Sequence, residues 1–179
     1  MFAQLDTKSV YSFMDSVVDL NSYVARAKEL GYQSLGLMDR DNLYAAYHFA
    51  QLASRNGLRP LIGMEANLFY EGRKIPFRLL AKNNQGYKNL MKLATELSSG
   101  QREFTAFSDY LNAIALILPS EDWEPGMTLG SEVFIGIRPE DAGKEFDYPV
   151  VPLHTVRYFE NSDRSTIQML HAISQNVSL

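Results

Sequence analysis

The first predicted strand of this chain brings an acidic and a basic side chain together. The run from Phe2 to Leu5 alternates like a short strand and leads directly into Asp6 and Lys8. Because successive side chains of a strand point to opposite faces, Gln4, Asp6 and Lys8 share one face. If that face lines the mouth of a barrel, the carboxylate and the ammonium group belong to a site. No histidine lies near them in the sequence.

More polar side chains follow the ends of other predicted strands. These are Asp39, Arg40, Glu65, His154, Thr155 and Arg157. The three histidines, His48, His154 and His171, lie too far apart in sequence to form a metal-ligand motif. We interpret His48 as a surface or packing residue and His171 as structural, whereas His154 adjoins a strand end.

Strands alternate with helices along the chain. Helices are predicted over residues 21–31, 42–57, 86–100 and from 162 onward, and strands over 34–39, 61–70, 77–83, 112–119, 132–138 and 150–154. Asn21 or Ser22 is expected to cap the first helix. The second helix is expected to have one face made of Leu43, Ala46, Tyr47 and Ala50. This order predicts an α/β fold with a largely parallel sheet, in which ligands gather at the carboxyl ends of the strands.

Composition excludes several classes of protein. The chain has 179 residues, 46% of them hydrophobic, which predicts one globular domain. Its net charge of −4 argues against a stand-alone nucleic-acid binder, and the lack of cysteine excludes disulfides and thiol catalysis. No signal peptide or long apolar run is found, so we expect a cytoplasmic protein. Phosphate-binding glycine loops and the G-x-S-x-G nucleophile elbow are also absent from the sequence.

Six segments of the chain are distinctive: F-A-Q-L-D-T-K-S-V-Y-S, R-A-K-E-L-G, L-G-L-M-D-R-D-N-L, R-P-L-I-G-M-E, L-L-A-K-N-N-Q-G-Y-K-N-L and V-R-Y-F. They resemble the polymerase and histidinol phosphatase (PHP) domain, in particular that of bacterial DNA polymerase III alpha subunits without an inserted exonuclease. This resemblance implies a distorted TIM-like barrel of about seven strands with outer helices. It also implies that residues 1–179 form a single PHP domain, the N-terminal fragment of a much longer polymerase chain.

Active members of this family hydrolyse phosphoesters with metal ions held by histidine and acidic ligands at the strand ends. The family's ligand positions, carried over one by one, fall on Asp6, Lys8, Asp15, Asp39, Arg40, Glu65, Pro76, Thr155 and Arg157. Asp15 and Glu65 keep the family's acidic type, and Asp6 is an acceptable substitute. Lys8, Arg40 and Arg157 are cationic and repel a metal ion.

The resemblance therefore implies a vestigial site, in which these three cations neutralise Asp6, Asp15 and Glu65 without metal. We expect no catalytic residues, no metal and no cofactor, and a scaffold that packs on the rest of the alpha subunit. The parent chain would be a DNA-directed DNA polymerase in replication, acting on DNA and possessing replisome partners such as a proofreading exonuclease. The alternative is a phosphoesterase, either an exonuclease or a pyrophosphatase. It would hold Mn, Mg or Zn at Asp6, Asp15, Asp39 and Glu65.

Overall fold

A computed structural model describes residues 3–130 and 132–177. Nine strands are described: β1 (Ala3–Gln4), β2 (Asp6–Thr7), β3 (Ser34–Arg40), β4 (Arg59–Tyr70), β5 (Arg73–Ala81), β6 (Ile114–Pro119), β7 (Val133–Ile137), β8 (Val150–Pro152) and β9 (Thr155–Val156). The α-helices are α1 (Leu20–Glu29), α2 (Ala46–Arg55), α3 (Asn84–Ser98) and α4 (Asp163–Gln175). Short 3-10 helices cover Phe104–Tyr110, Ser120–Asp122 and Pro139–Asp141. Phe2, where the first strand was predicted to begin, lies outside the described residues.

Seven strands form one curled sheet in the order β1-β3-β4-β5-β6-β7-β8, and β2 pairs with β9. Among the described pairs of this sheet, those on either side of β5 are antiparallel and the others are parallel. Because β2 follows β1 and β9 follows β8 almost directly, the parallel β2–β9 pair joins the two edges of the sheet. The predicted α/β class and the barrel-like curvature are confirmed.

The backbone between β1 and β2 approaches β3 very closely. A Cβ on Gly36 of β3 would collide with the backbone carbonyl oxygen of Leu5, between β1 and β2. Only glycine lets the two backbones approach this closely. The Leu5 backbone therefore lies against β3, and the chain continues from there into Asp6 and Lys8.

Two helical layers cover the outside of the sheet. Tyr23 of α1 and Phe49 of α2 pack in one cluster with Leu37 of β3. Leu93 of α3 belongs to a second cluster, together with Phe77 of β5. The barrel interior holds a smaller apolar cluster built on Met38, Ile117 and Leu153. Side chains of one strand therefore alternate between the helix-facing layers and the interior.

Two local predictions about the helices are wrong. Asp19, and not Asn21 or Ser22, caps α1, because its carboxylate accepts the backbone N–H groups of those two residues at 3.0 Å each. An acid directly before the first helical residue satisfies the free amides better than the two polar residues already inside the helix. On α2 the predicted face is wrong at Tyr47, which is 71% exposed, whereas Ala46 is buried as predicted and Phe49 is buried as well.

None of the helices in the described ranges is long and apolar enough to cross a membrane.

Candidate functional site

A cluster of charged side chains occupies the barrel interior beside the carboxyl end of β3. Asp6 lies on β2, Arg40 ends β3, Glu65 lies on β4 and Thr155 begins β9. The sheet register sets Arg40 beside Glu65 across the β3–β4 pair. It also sets Glu65 opposite Arg78 across the β4–β5 pair. Backbone pairing thus brings together residues that are far apart in the sequence.

Lys8 lies at the centre of this cluster and is completely buried. Its Nζ lies 2.7 Å from Asp6 Oδ1 and 3.0 Å from Glu65 Oε2. It also donates to the backbone carbonyl oxygen of Met38 at 2.6 Å. Three oxygens therefore surround the ammonium group, so the buried charge is paired with two carboxylates and hydrogen-bonded to Asp6 and to the Met38 carbonyl.

Arg78 provides a second buried cation. Its Nε lies 3.0 Å from Asp6 Oδ2, and its Nη2 lies 3.4 Å from Glu65 Oε2. Its Nη1 donates to the Pro76 carbonyl oxygen at 2.6 Å, and Thr155 Oγ1 donates to Asp6 Oδ2 at 2.7 Å. Each oxygen of Asp6 thus faces a cation, and no side of that carboxylate is left open.

Asp15 organises the outer part of the cluster. Its Oδ2 lies 2.7 Å from Arg40 Nη2, and its Oδ1 lies 3.0 Å from Arg157 Nε. His171 Nε2, on α4, also lies 3.0 Å from Asp15 Oδ1. Arg40 continues to Glu65 through its Nε at 2.9 Å. Ion pairs therefore run from the buried Lys8 through Glu65 and Arg40 to Asp15, and the contact with His171 extends this network to α4.

Asp39 does not join this network, although it was grouped with the other acids. The alternation of β3 puts Asp39 on the same face as Leu35 and Leu37, whereas Arg40 faces the interior. The buried Asp39 carboxylate accepts the Ser9 backbone N–H at 2.6 Å and the hydroxyls of Ser9 and Ser12 at 2.7 Å each. Asp39 therefore anchors the loop after β2 and does not face Asp6.

The pKa values follow from these contacts. Burial by itself would raise the pKa of Asp6, but the charges of Lys8 and Arg78 outweigh it and lower the pKa from 3.8 to about 2. Burial would likewise raise the pKa of Glu65, and the charges of Lys8, Arg78 and Arg40 lower it instead. For Arg40, the opposing effect of burial is overcome by Glu65 and Asp15, which raise its pKa. Asp6 and Glu65 therefore stay ionised at neutral pH, and Arg40 stays protonated.

The other residues named from the sequence lie in varied places. Pro76 contributes only its carbonyl oxygen to Arg78. His154 is exposed, and its carbonyl oxygen accepts from Gln4 Nε2 at 2.6 Å. His48 is exposed on α2. These three residues place no side chain in the ion-pair network.

Sequence reasoning missed Arg78 and the contact of His171. The signal for Arg78 was present, because a lone arginine interrupts the apolar run around Phe77 and Leu79 on a predicted buried strand. A buried charge needs a partner. For His171 no local signal existed, since Asp15 lies 156 positions away in the sequence.

The acidic side chains of the site face cationic groups. In the described ranges, no group of three or more histidine, cysteine, aspartate or glutamate side chains is arranged to hold one. Asp6 and Glu65 converge on the Lys8 ammonium group, and Asp15 converges on Arg40 and Arg157. A metal ion would have to compete with fixed cations for every one of these carboxylates.

Most of this chain matches a known protein family. The family model described as "PHP domain" matches residues 4–124 of the chain. The chain belongs to the PHP domain family. That match covers every site residue from Asp6 to Arg78, whereas Thr155, Arg157 and His171 lie beyond it.

Curated relatives of this PHP domain are DNA polymerase III alpha subunits. The chain is 45% identical over 181 residues to the one from Streptococcus pyogenes serotype M1, and all of the chain is covered. It is 34% identical over 126 residues to the one from Bacillus subtilis (strain 168), with 67% of the chain covered. The chain spans only 18% of the streptococcal relative and 11% of the Bacillus relative. It therefore matches the PHP domain region of those subunits.

Solved structures support the same fold at low sequence identity. A protein from Bifidobacterium adolescentis, described as a metal-dependent phosphoesterase, has a TM-score of 0.51 and 10% identity to this PHP domain. The similarity covers 98% of this chain and 84% of that one. At this level of identity it shows a shared fold and carries no statement about metal in the present chain.

Proposed function

We propose that this PHP domain is a non-catalytic, metal-free part of a replicative DNA polymerase III alpha subunit. In this proposal the PHP-type site persists as a vestige in which arginine and lysine side chains replace metal ions. The domain serves as a scaffold on which the polymerase part of the subunit packs, in the cytoplasm. The parent subunit would catalyse DNA-directed DNA synthesis, with DNA and replisome proteins, including a proofreading exonuclease, as its partners.

The observation that carries this proposal is the position of Lys8. Its ammonium group is completely buried and lies within 3.0 Å of both Asp6 and Glu65. Those two carboxylates are the innermost acids that could bind a metal ion. A cation fixed by covalent attachment cannot dissociate, so it permanently fills the position between them.

A phosphoesterase with a reduced carboxylate site receives less support. That reading needs Asp6, Asp15, Asp39 and Glu65 to share one or two metal ions. Asp39 faces the helix side of β3 and is held by serine hydroxyls. Asp15 is engaged by two arginines and a histidine. The four carboxylates therefore do not converge on one point.

The proposal is tested by measuring metal content and metal binding on chelator-treated protein. We expect no stoichiometric Zn²⁺, Mn²⁺ or Mg²⁺ by elemental analysis, and no binding heat when Zn²⁺ or Mn²⁺ is titrated. Thermal unfolding should also be unchanged by these ions, because a ligand that binds the folded state must raise the unfolding temperature. Stoichiometric binding that disappears in Glu65→Ala would overturn the proposal and support a working metal site.

A further inference from the structure

Helix α4 carries an apolar face that nothing in the described part of the chain covers. Met169 is 51% exposed and Ile173 is 58% exposed, and Val177, just after the helix, is 56% exposed. Residues four apart lie on one side of a helix, so Met169 and Ile173 form one stripe. We call these three residues the α4 stripe. Exposed apolar side chains that line up in this way mark interaction sites more often than isolated ones do.

The other side of α4 is only lightly attached to the barrel. Ile167 and Ala172 are its only side chains, within the described residues, that are buried. Within the described residues, the polar contact between an α4 side chain and the barrel is the hydrogen bond from His171 to Asp15. By contrast, α3 buries five residues against the sheet. Helix α4 therefore needs further contacts to be held as firmly as the rest of the fold.

The length of the relatives bears on what could cover the stripe. The streptococcal alpha subunit matches all of this chain, α4 included, and the matched region is 18% of its length. In that subunit the α4 region is thus joined to a much larger polypeptide. A segment tethered close to Val177 is present at an effective concentration of about millimolar, so a small apolar contact suffices to hold it. A second copy of this chain lacks that advantage, because three side chains bury far less area than the roughly 1,200 Å² that a stable interface requires.

We propose that the α4 stripe docks on the polymerase part of the alpha subunit that is joined to this domain. This inference rests on the proposed function and specifies the surface through which the scaffold acts. Docking on the outer side of α4 also fixes the helix that carries His171, and through it Asp15 and Arg157. The docked polypeptide and the ion-pair network therefore hold α4 from opposite sides.

The test compares hydrogen exchange of α4 in two proteins. One is the 179-residue chain, and the other is the S. pyogenes alpha subunit in which this chain replaces the matching region. We expect amides of residues 171–177 to exchange at least about tenfold more slowly in the long subunit. The double variant Met169→Glu, Ile173→Glu, or the milder Ile173→Gln alone, should remove that difference. The matched control Met91→Glu changes a partly exposed methionine on α3 and should leave it intact.

Three results would overturn the proposal. Equal exchange of residues 171–177 in both proteins would show that nothing docks there. Protection that grows with the concentration of the isolated chain would identify a second copy as the occupant. Protection only around Tyr44 and Tyr47, which are also exposed, would place the docking surface on α2 and its preceding loop. A failure of the proposed function has different readouts, namely metal binding by the isolated chain or a chimaera that neither folds nor extends a primer.

Discussion

Neutralising Glu65 is the sharpest way to test whether the buried ion pairs hold this barrel together. Its carboxylate lies 3.0 Å from Lys8 Nζ, 2.9 Å from Arg40 Nε and 3.4 Å from Arg78 Nη2. The substitution Glu65→Gln keeps the size and one acceptor oxygen but removes the charge. Lys8 and Arg78 would then share only Asp6, so two buried cations face one carboxylate. Removing one partner of a buried ion pair typically costs about 3–5 kcal/mol.

The chain offers a matched control on its surface. Glu132 pairs with Lys82 at 2.7 Å, but their side chains are 50% and 43% exposed. Because water and salt screen this pair, Glu132→Gln should cost less than about 1 kcal/mol. The two variants make the same chemical change at a similar ion-pair distance and differ mainly in burial. The comparison therefore isolates the effect of removing a charge from the interior.

The assays are thermal unfolding and urea unfolding of both variants beside the wild-type chain. For a domain of this size, about 1 kcal/mol corresponds to about 2–4 °C in the unfolding temperature, so Glu65→Gln should unfold at least about 6 °C lower. The denaturant slope should stay the same, since the surface exposed on unfolding is unchanged. Combining Glu65→Gln with Lys8→Met should cost less than the sum of the two single changes. Equal effects of Glu65→Gln and Glu132→Gln would refute the reasoning.

Three further predictions concern single contacts. The folded pKa of Asp6 is about 2, below its unfolded value, so its contribution of about 2 kcal/mol is present above pH 4 and is lost as the pH falls toward 2. Between pH 5 and pH 2, the free energy of unfolding should accordingly fall less steeply with pH in Asp6→Asn than in the wild-type chain. The same pH dependence in both proteins would contradict the lowered pKa of Asp6. Thr155→Val removes a 2.7 Å hydrogen bond to the Asp6 carboxylate and should lower the free energy of unfolding in urea by about 1.5–3 kcal/mol. It should also move acid unfolding to higher pH. The control is Thr155→Ser, which keeps the hydroxyl. Asp19→Ala should cost about 1 kcal/mol by removing the cap of α1, whereas Asn21→Ala should cost less than half as much, and the reverse order would show that the cap is misassigned.

Much of this protein could be predicted from local patterns in the sequence. The order of strands and helices and the α/β class follow from short segments, because periodicity and turn residues act over a few positions. The PHP resemblance rests on matching residue segments. The positions of Lys8 and Arg40 were identified in the same way, since each lies directly beside a predicted strand end. The alternation rule also placed Asp6 and Lys8 on one face, and in the structure their side chains are 2.7 Å apart.

Other features were decided only by tertiary structure. The register of β4 against β5 sets Arg78 opposite Glu65, and a shift of one residue would have turned Arg78 toward the helices. The contact of His171 with Asp15 depends on how α4 lies across the barrel. Asp39 was grouped with the other acids because it ends a strand, and its actual face became clear only from the sheet. Sequence patterns report which residues are buried locally, whereas the partner of a buried charge depends on chain segments that are distant in sequence and meet only on folding.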